Sequence, residues 1–315
     1  MTPNTPLQKH LILLGAGHAH VHVLSTLATQ ALVGVQVTLI APYPRQMYSG
    51  MVPGFVAGHY TLDDCVIPLE PLLKNTGIRW LARSATALDA TAQTITLDDG
   101  TVLPYDWLSV NTGPVQNRSL MEQTLPGVRE HGLFIRPIET FGALWPQVVT
   151  LAQKRPLRVA VIGAGAAGLE LAMAMAYRLP TSSVTLVTGG TPVAANYTAK
   201  VQQRVLAALK QRNITVLNEQ AVGIQTGEVL LASGARLACD VPVIATGGQA
   251  PAWLEECGLA LDDQGFIAVD ACQRSTSHAN VFAAGDVSTR VDQPLARSGV
   301  YAVRAGPALL TNLRA

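Results

Sequence analysis

The segment Gly163-Ala164-Gly165-Ala166-Ala167-Gly168 has the residue types and spacing to hold a pyrophosphate. Its three glycines let a backbone turn sharply, approach a ligand with no Cβ in the way, and bring a helix close to the strand before it. The N-terminus of that helix offers unpaired N–H groups and a partial positive charge to an anion. Alone, the pattern also fits an ordinary tight turn. The apolar run Val159–Ile162 directly before it is the context that favours dinucleotide binding.

A less regular copy, Gly15-Ala16-Gly17-His18-Ala19-His20, lies near the N-terminus. Histidine replaces the small residue that normally sits where helix and strand pack closest, so this helix is expected to stand slightly farther out. His18 and His22 share a helix face at metal-pair spacing, but His20 points away and no carboxylate or cysteine is near enough to complete a shell. His18 is therefore read as a donor near phosphate, the other two as packing residues, and no metal is expected. Each fold should also carry an acid, about 20 residues past the glycines, to hold a ribose hydroxyl. Neither does: the first of these strands ends at Ala41-Pro42 and the second at Thr188-Gly189-Gly190. Ribose recognition then falls to backbone or hydroxyl groups, and with no arginine beside Thr188 there is no clear pocket for a 2′-phosphate.

Positioning such turns takes a repeated strand, turn, helix and strand, and the chain has this series twice. Leu11–Leu14, the turn from Gly15, a helix over Val21–Ala31 and a strand Val35–Ile40 make the first βαβ unit. Val159–Ile162, Gly163–Gly168, Leu169–Arg178 and Val184–Val187 make the second. Both copies close alike. Asp98-Asp99-Gly100 turns between Ile95–Leu97 and Val102–Leu103, before Tyr105-Asp106 and a strand that stops at Asn111-Thr112-Gly113. Ser233-Gly234 turns between Val229–Leu231 and Arg236–Leu237, before Cys239-Asp240 and a strand that stops at Ala245-Thr246-Gly247. A last apolar strand within Asn280–Asp286 has no third glycine turn to partner it, so it should return to the first domain. The expected architecture is α/β, with two Rossmann-like domains, the second inserted in the first, each with a small antiparallel β-meander. The boundaries fall at 1–118 with 250–315, and at 119–249.

Composition agrees with two buried parallel sheets: 315 residues, 49% hydrophobic and 14% charged. A net charge of +1 gives no electrostatic footprint for nucleic acid or anionic lipid. Cys65, Cys239, Cys257 and Cys272 form no CxxC pair, so they read as buried small hydrophobes rather than a zinc knuckle or dithiol relay. Met1–His10 lacks the apolar run of a secretory signal, which points to the cytoplasm, with peripheral attachment to the inner face of the membrane left open. The apolar stretch Val159–Ala176 carries the glycine motif and Glu170, and reads as strand, turn and helix, not as a membrane span.

Thr276 through Val281-Phe282-Ala283-Ala284-Gly285-Asp286 resembles the terminal FAD motif of the two-dinucleotide-binding-domain flavoproteins. With the two glycine turns it gives a resemblance to the pyridine nucleotide-disulfide oxidoreductase superfamily across nearly the whole chain. Tyr48-Ser49-Gly50-Met51-Val52-Pro53-Gly54, His59-Tyr60, Gly17-His18-Ala19-His20 and Gly299-Val300-Tyr301-Ala302-Val303-Arg304 are similar to a narrower group. That group is the NADH-dehydrogenase-like flavoproteins related to the domain fused to selenophosphate synthetase.

The resemblance implies FAD in the first domain and NAD(P)H as co-substrate in the second. It assigns Asp286 to the ribityl chain, Ser49 and Gly50 to the isoalloxazine, and Thr112 and Gly113 to the dinucleotide. Gly15, Gly17, His18, Ala19, Ala41 and Gly285 complete the FAD contacts; Gly163, Gly165, Gly168 and Gly247 are those for the nicotinamide cofactor. A helix over Pro294–Ala308 would aim its positive end at the flavin pyrimidine. Glu170 reads equally as a nicotinamide-side contact or a surface residue. The paired thiols of the disulfide reductases and the flavin-proximal cysteines of sulfide:quinone reductases are missing, so electrons should pass directly to a quinone-like or other small acceptor. No catalytic acid or base is needed for hydride transfer. Family members continue with a C-terminal segment that covers the flavin or makes a dimer or membrane contact, whereas this sequence ends at Ala315, and homodimerisation is left open. The alternative reading is an FAD-binding sensor or partner-regulating module with little turnover, linked to selenium metabolism.

Overall fold

A computed structural model describes residues 8–195 and 197–315. The first part of the segment read above for a leader, residues 1–7, lies outside the described residues. The chain packs as two units: the part up to Tyr48, Val66–Pro114 and Gln249–Ala315 form one, and Ser49–Cys65 with Val115–Gly248 the other. The break after Pro114 comes slightly before the expected 118, and 49–65 groups with the second unit although it lies inside the first sequence span.

Each unit is built on a five-stranded sheet. In the first the order is Val281–Ala283, Trp107–Val110, Lys9–Leu14, Val35–Ile40 and Arg79–Leu81, all parallel. In the second it is Leu133–Phe134, Val241–Ile244, Arg158–Ile162, Ser183–Val187 and Thr215–Leu217, again all parallel. The strand Val281–Ala283 thus closes the first sheet from far along the chain, as its lack of a glycine turn suggested. Each unit adds an antiparallel three-stranded meander, Ala85–Asp89 to Val102–Pro104 and Ala221–Gln225 to Arg236–Ala238.

The central strands are continuous apolar runs because layers cover both faces. Ile12 and Leu14 pack with Ile95 and Leu97 of the meander, while Leu11 and Leu13 pack with Leu24 and Leu309 of two helices. Each such buried side chain stabilises by about 2 kcal/mol. At the strand entry the two copies share one device. Asp106 accepts the backbone N–H of His10 at 2.8 Å and returns its own N–H to the His10 carbonyl at 2.9 Å. Asp240 does the same with Arg158, at 2.8 Å both ways. These matched acids clamp adjacent strands at the end opposite the glycine turns.

Several expected bounds are corrected. The first helix is His18–Leu27, not Val21–Ala31: it begins directly after the Gly17 N-cap and ends where Thr29 and Gln30 turn back onto Thr26. The last helix is Gly299–Arg314, not Pro294–Ala308. Arg297 explains the late start. It bonds outward to Gln264, Asp262 and Thr289 and stacks 3.6 Å above the Phe266 ring, which holds the preceding segment out of the helix. Cys65, Cys239 and Cys257 are buried, but Cys272 is exposed, so it is not a core residue. No described helix is long and apolar enough to cross a membrane.

Candidate functional site

In the second unit the three motif glycines do three different jobs. Gly163 turns at φ +115°, and a Cβ there would meet the Ala245 carbonyl oxygen at 2.6 Å. Gly168 lets the helix Ala166–Arg178 settle onto the turn: its Cβ would run into the Gly163 carbonyl. Gly165, the N-cap, needs its hydrogen for neither reason. Nothing lies within 4 Å of where its Cβ would be, so the missing atom leaves an open cradle directly before the helix N-terminus. Gly247, on the turn after Val241–Ile244, likewise faces open space. No N-cap side chain bonds this helix and its first turn holds no acid, so its dipole is left for an anion. The contrast is the helix Arg118–Thr124, whose Asn117 side chain accepts from Ser119 and Leu120. Glu170 stands exposed beyond that first turn, and partial desolvation raises its carboxyl pKa.

The first unit repeats the turn with different filling. Gly15 has φ +87° and a Cβ would meet the Asn111 carbonyl oxygen at 2.6 Å, the counterpart of Gly163 on Ala245. At the third position His20 is wholly buried; its Nδ1 pairs with the Gly15 carbonyl at 2.5 Å and its Nε2 with Ser109 Oγ at 2.8 Å. Burial pushes its pKa down to about 4, so the ring is neutral at neutral pH, and the contact with the Gly15 carbonyl only partly opposes this. His20 is a packing residue with both nitrogens satisfied. His18 sits in the first helical turn, its ring centroid 5.2 Å from that of Tyr48, and Ala19 is buried beside it. Among the described residues no group of three or more His, Cys, Asp or Glu could hold a metal ion.

Asn111 organises this end of the first unit, a role that sequence reasoning missed. Its carbonyl accepts the Gly17 N–H at 3.0 Å and its Oδ1 the His20 N–H at 3.1 Å, while its Nδ2 donates to the Ala284 carbonyl at 2.5 Å. One buried amide thereby joins the glycine turn to the Gly285–Asp286 turn. Gly285 has φ +73°, and a Cβ there would meet Asn111 Nδ2 at 2.8 Å and Ala302 of the last helix at 3.2 Å. Gly306 of the same helix allows it to cross the first helix at His22. Asp286 is partly buried, in the short 3-10 turn Gly285–Val287. The signal for Asn111 was present: it precedes Thr112-Gly113 as Ala245 precedes Thr246-Gly247, and it is the polar member of that matched pair.

Gly113 has φ +74° with open space around it, and Thr112 is exposed beside it. Ala41 is buried, with its N–H on the Leu81 carbonyl and its own carbonyl accepting from Trp80 Nε1, so it offers packing surface and no free N–H. Ser49 and Gly50 open a short 3-10 helix, Ser49–Met51, that belongs to the second unit. Burial raises the thiol pKa values of Cys65, Cys239 and Cys257, the Cys239 value to about 11, so these are not activated thiolates.

The donor set fits a dinucleotide in each unit: a glycine turn leads into a helix with no bond from its N-cap residue's side chain and no acid in its first turn, the approach being open at Gly165 and Gly247 in the second unit and lined by Asn111 at Gly17 in the first. An NADH dehydrogenase-like protein of Mycobacterium tuberculosis (strain CDC 1551 / Oshkosh) is 27% identical over 241 residues, covering 72% of this chain. The chain spans 59% of that relative's length. The demethylphylloquinone reductase of Synechocystis sp. (strain ATCC 27184 / PCC 6803 / Kazusa) is 24% identical over 90% of this chain and 72% of its own. The X-ray structure of sulfide:quinone oxidoreductase from Aquifex aeolicus shares the fold, with a TM-score of 0.78 over 97% of this chain and 76% of that one, at 19% identity. The family model for pyridine nucleotide-disulphide oxidoreductases matches residues 9–306, and the chain belongs to that family.

Proposed function

We propose that this chain is an FAD-dependent oxidoreductase that takes hydride from NAD(P)H and passes electrons to a quinone-like small acceptor without a redox disulfide. The observation that carries the reading is the doubled glycine turn: one chain holds two, each before a helix that its own N-cap residue does not close and no first-turn acid neutralises. Flavin supplies the hydride-accepting and electron-releasing chemistry when bound. The protein's part is to bind and orient. The turn Gly15–Gly17 and the helix His18–Leu27 receive the FAD diphosphate, with His18 as a nearby donor. Asp286 accepts hydrogen bonds from ribityl hydroxyls, and Asn111 fixes the distance between that carboxylate and the glycine turn. The last helix, with no acid in its first turn, presents its positive end to negative charge on the flavin pyrimidine. In the second unit Gly163, Gly165 and Gly168 seat the nicotinamide dinucleotide, with Gly247 and Glu170 lining the same end. No side chain is assigned a proton-transfer role. A quinone-like acceptor is supported by the activity named for the relative from Synechocystis, and the direct route by Cys65, Cys239 and Cys257, whose thiol pKa values burial raises.

The test is anaerobic titration of the purified, FAD-reconstituted protein with NADH and NADPH, followed by visible absorbance. A yellow protein that bleaches with a nicotinamide and recovers colour on adding a quinone is expected. Gly165→Ala should retain flavin and melting temperature but bind the nicotinamide at least about tenfold more weakly, because its methyl group enters the cradle and touches no protein atom. A protein that cannot retain FAD rejects the proposal. One that stays yellow with both nicotinamides favours the sensor module instead.

A further inference from the structure

We infer that Glu219 supplies the ribose-binding acid that the second glycine fold lacks at its usual position, and that it makes this unit select NADH over NADPH. The inference rests on the nicotinamide reading above and adds a specificity residue to it. In this fold the acid stands at the end of the second strand, where it accepts from the adenosine ribose. Here that strand, Ser183–Val187, runs into Thr188, which is buried and donates its Oγ1 proton to Asn218 Oδ1 at 2.8 Å. The hydroxyl at the usual position is thus already committed inside the protein.

The neighbouring strand carries the replacement. Thr215–Leu217 runs parallel in register Thr185↔Thr215 to Val187↔Leu217, and the pairing continues past both ends. Thr188 N–H donates to the Leu217 carbonyl at 3.0 Å and Gly189 N–H to the Glu219 carbonyl at 2.9 Å. Glu219 is therefore fixed at the same sheet end as the glycine turn, one strand spacing, about 4.8 Å, from the usual place of the acid. Gly163 is anchored to this end as well, its N–H donating to the Val187 carbonyl at 2.9 Å.

Two further observations point to a missing donor. Glu219 Oε2 is buried and has no hydrogen-bond partner among the described residues, although a buried carboxylate oxygen is costly to leave unpaired. Beside it Gly189 and Gly190 turn at φ +75° and +81°, with nothing within 4 Å of where a Cβ would stand. The open side of the turn leaves room for a sugar, and a vicinal diol would bring two O–H donors to the carboxylate. A 2′-phosphate would bring only acceptors and like charge, and be rejected.

The test is calorimetric titration of the FAD-loaded full chain with ADP-ribose and 2′-phospho-ADP-ribose, probes of the adenosine half that need no turnover. Wild type should bind ADP-ribose at least about tenfold more tightly. Glu219→Gln should lose about tenfold on ADP-ribose with little change for the 2′-phosphate, and Glu219→Lys should reverse the preference. Wild-type preference for the 2′-phosphate, or an unchanged ratio in both variants, overturns the role of Glu219 while leaving nicotinamide binding intact. Failure of wild type to bind either probe, or NADH, removes the proposed function together with this inference.

Discussion

The two glycine turns follow one plan and diverge at the point where helix meets strand. In the second unit Gly168 presses its backbone against the Gly163 carbonyl and Ala245 fills the space behind. In the first, His20 puts an imidazole into the equivalent gap and Asn111 stands where Ala245 stands. The small residue is therefore one solution to this junction and not a condition for it. A large side chain is admitted provided that each polar atom it buries is paired. In the first unit that pairing network also reaches the Asp286 turn, through Asn111 to Ala284, so the bulkier solution ties the glycine turn to the turn that carries Asp286. Among the described residues the glycine solution has no polar side chain at the matching positions, Gly168 and Ala245, to make such a bond.

The most damaging way to break the comparison is to give the second unit a side chain without a network. Gly168→Val should cost about 4 kcal/mol or more, since its carbon atoms meet backbone that cannot step aside. Amide hydrogen exchange by mass spectrometry should show protection collapsing over 158–187 and surviving over 9–40. Retained protection in both stretches would mean that the helix lifts as easily here as in the first unit, and that the two junctions are interchangeable.

The converse change empties the first junction. His20→Ala leaves Ser109 Oγ and the Gly15 carbonyl without their partners and opens a hole, for a loss of about 3 kcal/mol. The same residue sets a pH dependence. The unfolded chain takes up a proton on this imidazole near pH 6.5, whereas the folded chain resists until about pH 4. The stability is whole above pH 6.5, declines as pH falls toward 4, and is level below that with respect to this group. The shift amounts to about 3 kcal/mol across the window. Denaturant melts from pH 7.5 to 4 should show the decline in wild type, and His20→Leu should flatten it. An equal slope in the variant would assign the acid sensitivity elsewhere.

The parts of this fold set by apolar periodicity and glycine spacing were legible from residues alone. Leu11–Leu14, Val159–Ile162 and the return of Val281–Ala283 to the first sheet followed from runs that only a doubly covered strand can accommodate. What hid from sequence depends on partners distant in the chain. Asn111 reads as an ordinary strand end until Gly17, His20 and Ala284 are seen converging on it. The start of the last helix depends on Arg297 reaching Asp262, Gln264 and Phe266, which no local preference encodes. Ser49–Cys65 lies in sequence between strands of the first unit, yet its contacts are with the second: Trp145 Nε1 donates to the Val56 carbonyl at 3.2 Å.

The smallest effect sharpens the comparison at the opposite end of the sheets. Asp106 and Asp240 make the same backbone clamp, so the difference between them comes from the side chains around them. Asp240 accepts from both Arg158 and Arg155 and its side chain is only 11% exposed, whereas Asp106 has Lys9 and is 37% exposed. Its bonds to Arg158 hold the Asp240 carboxyl well below the usual carboxylate range, and the Lys9 ammonium lowers that of Asp106. Truncation should cost about 2 kcal/mol for Asp240→Ala and about 1 kcal/mol for Asp106→Ala, the exposed pair being discounted for solvent screening. Both contributions are present above the ordinary carboxylate pKa and are lost only as pH falls below it, beneath most of the window in which His20 acts. Between pH 6.5 and 4 acid should therefore loosen the first unit before the second, read as amide protection in 9–40 falling ahead of that in 158–187. Simultaneous loss would mean that the buried imidazole is not what distinguishes the two folds toward acid, and that the clamps, which they share, govern both.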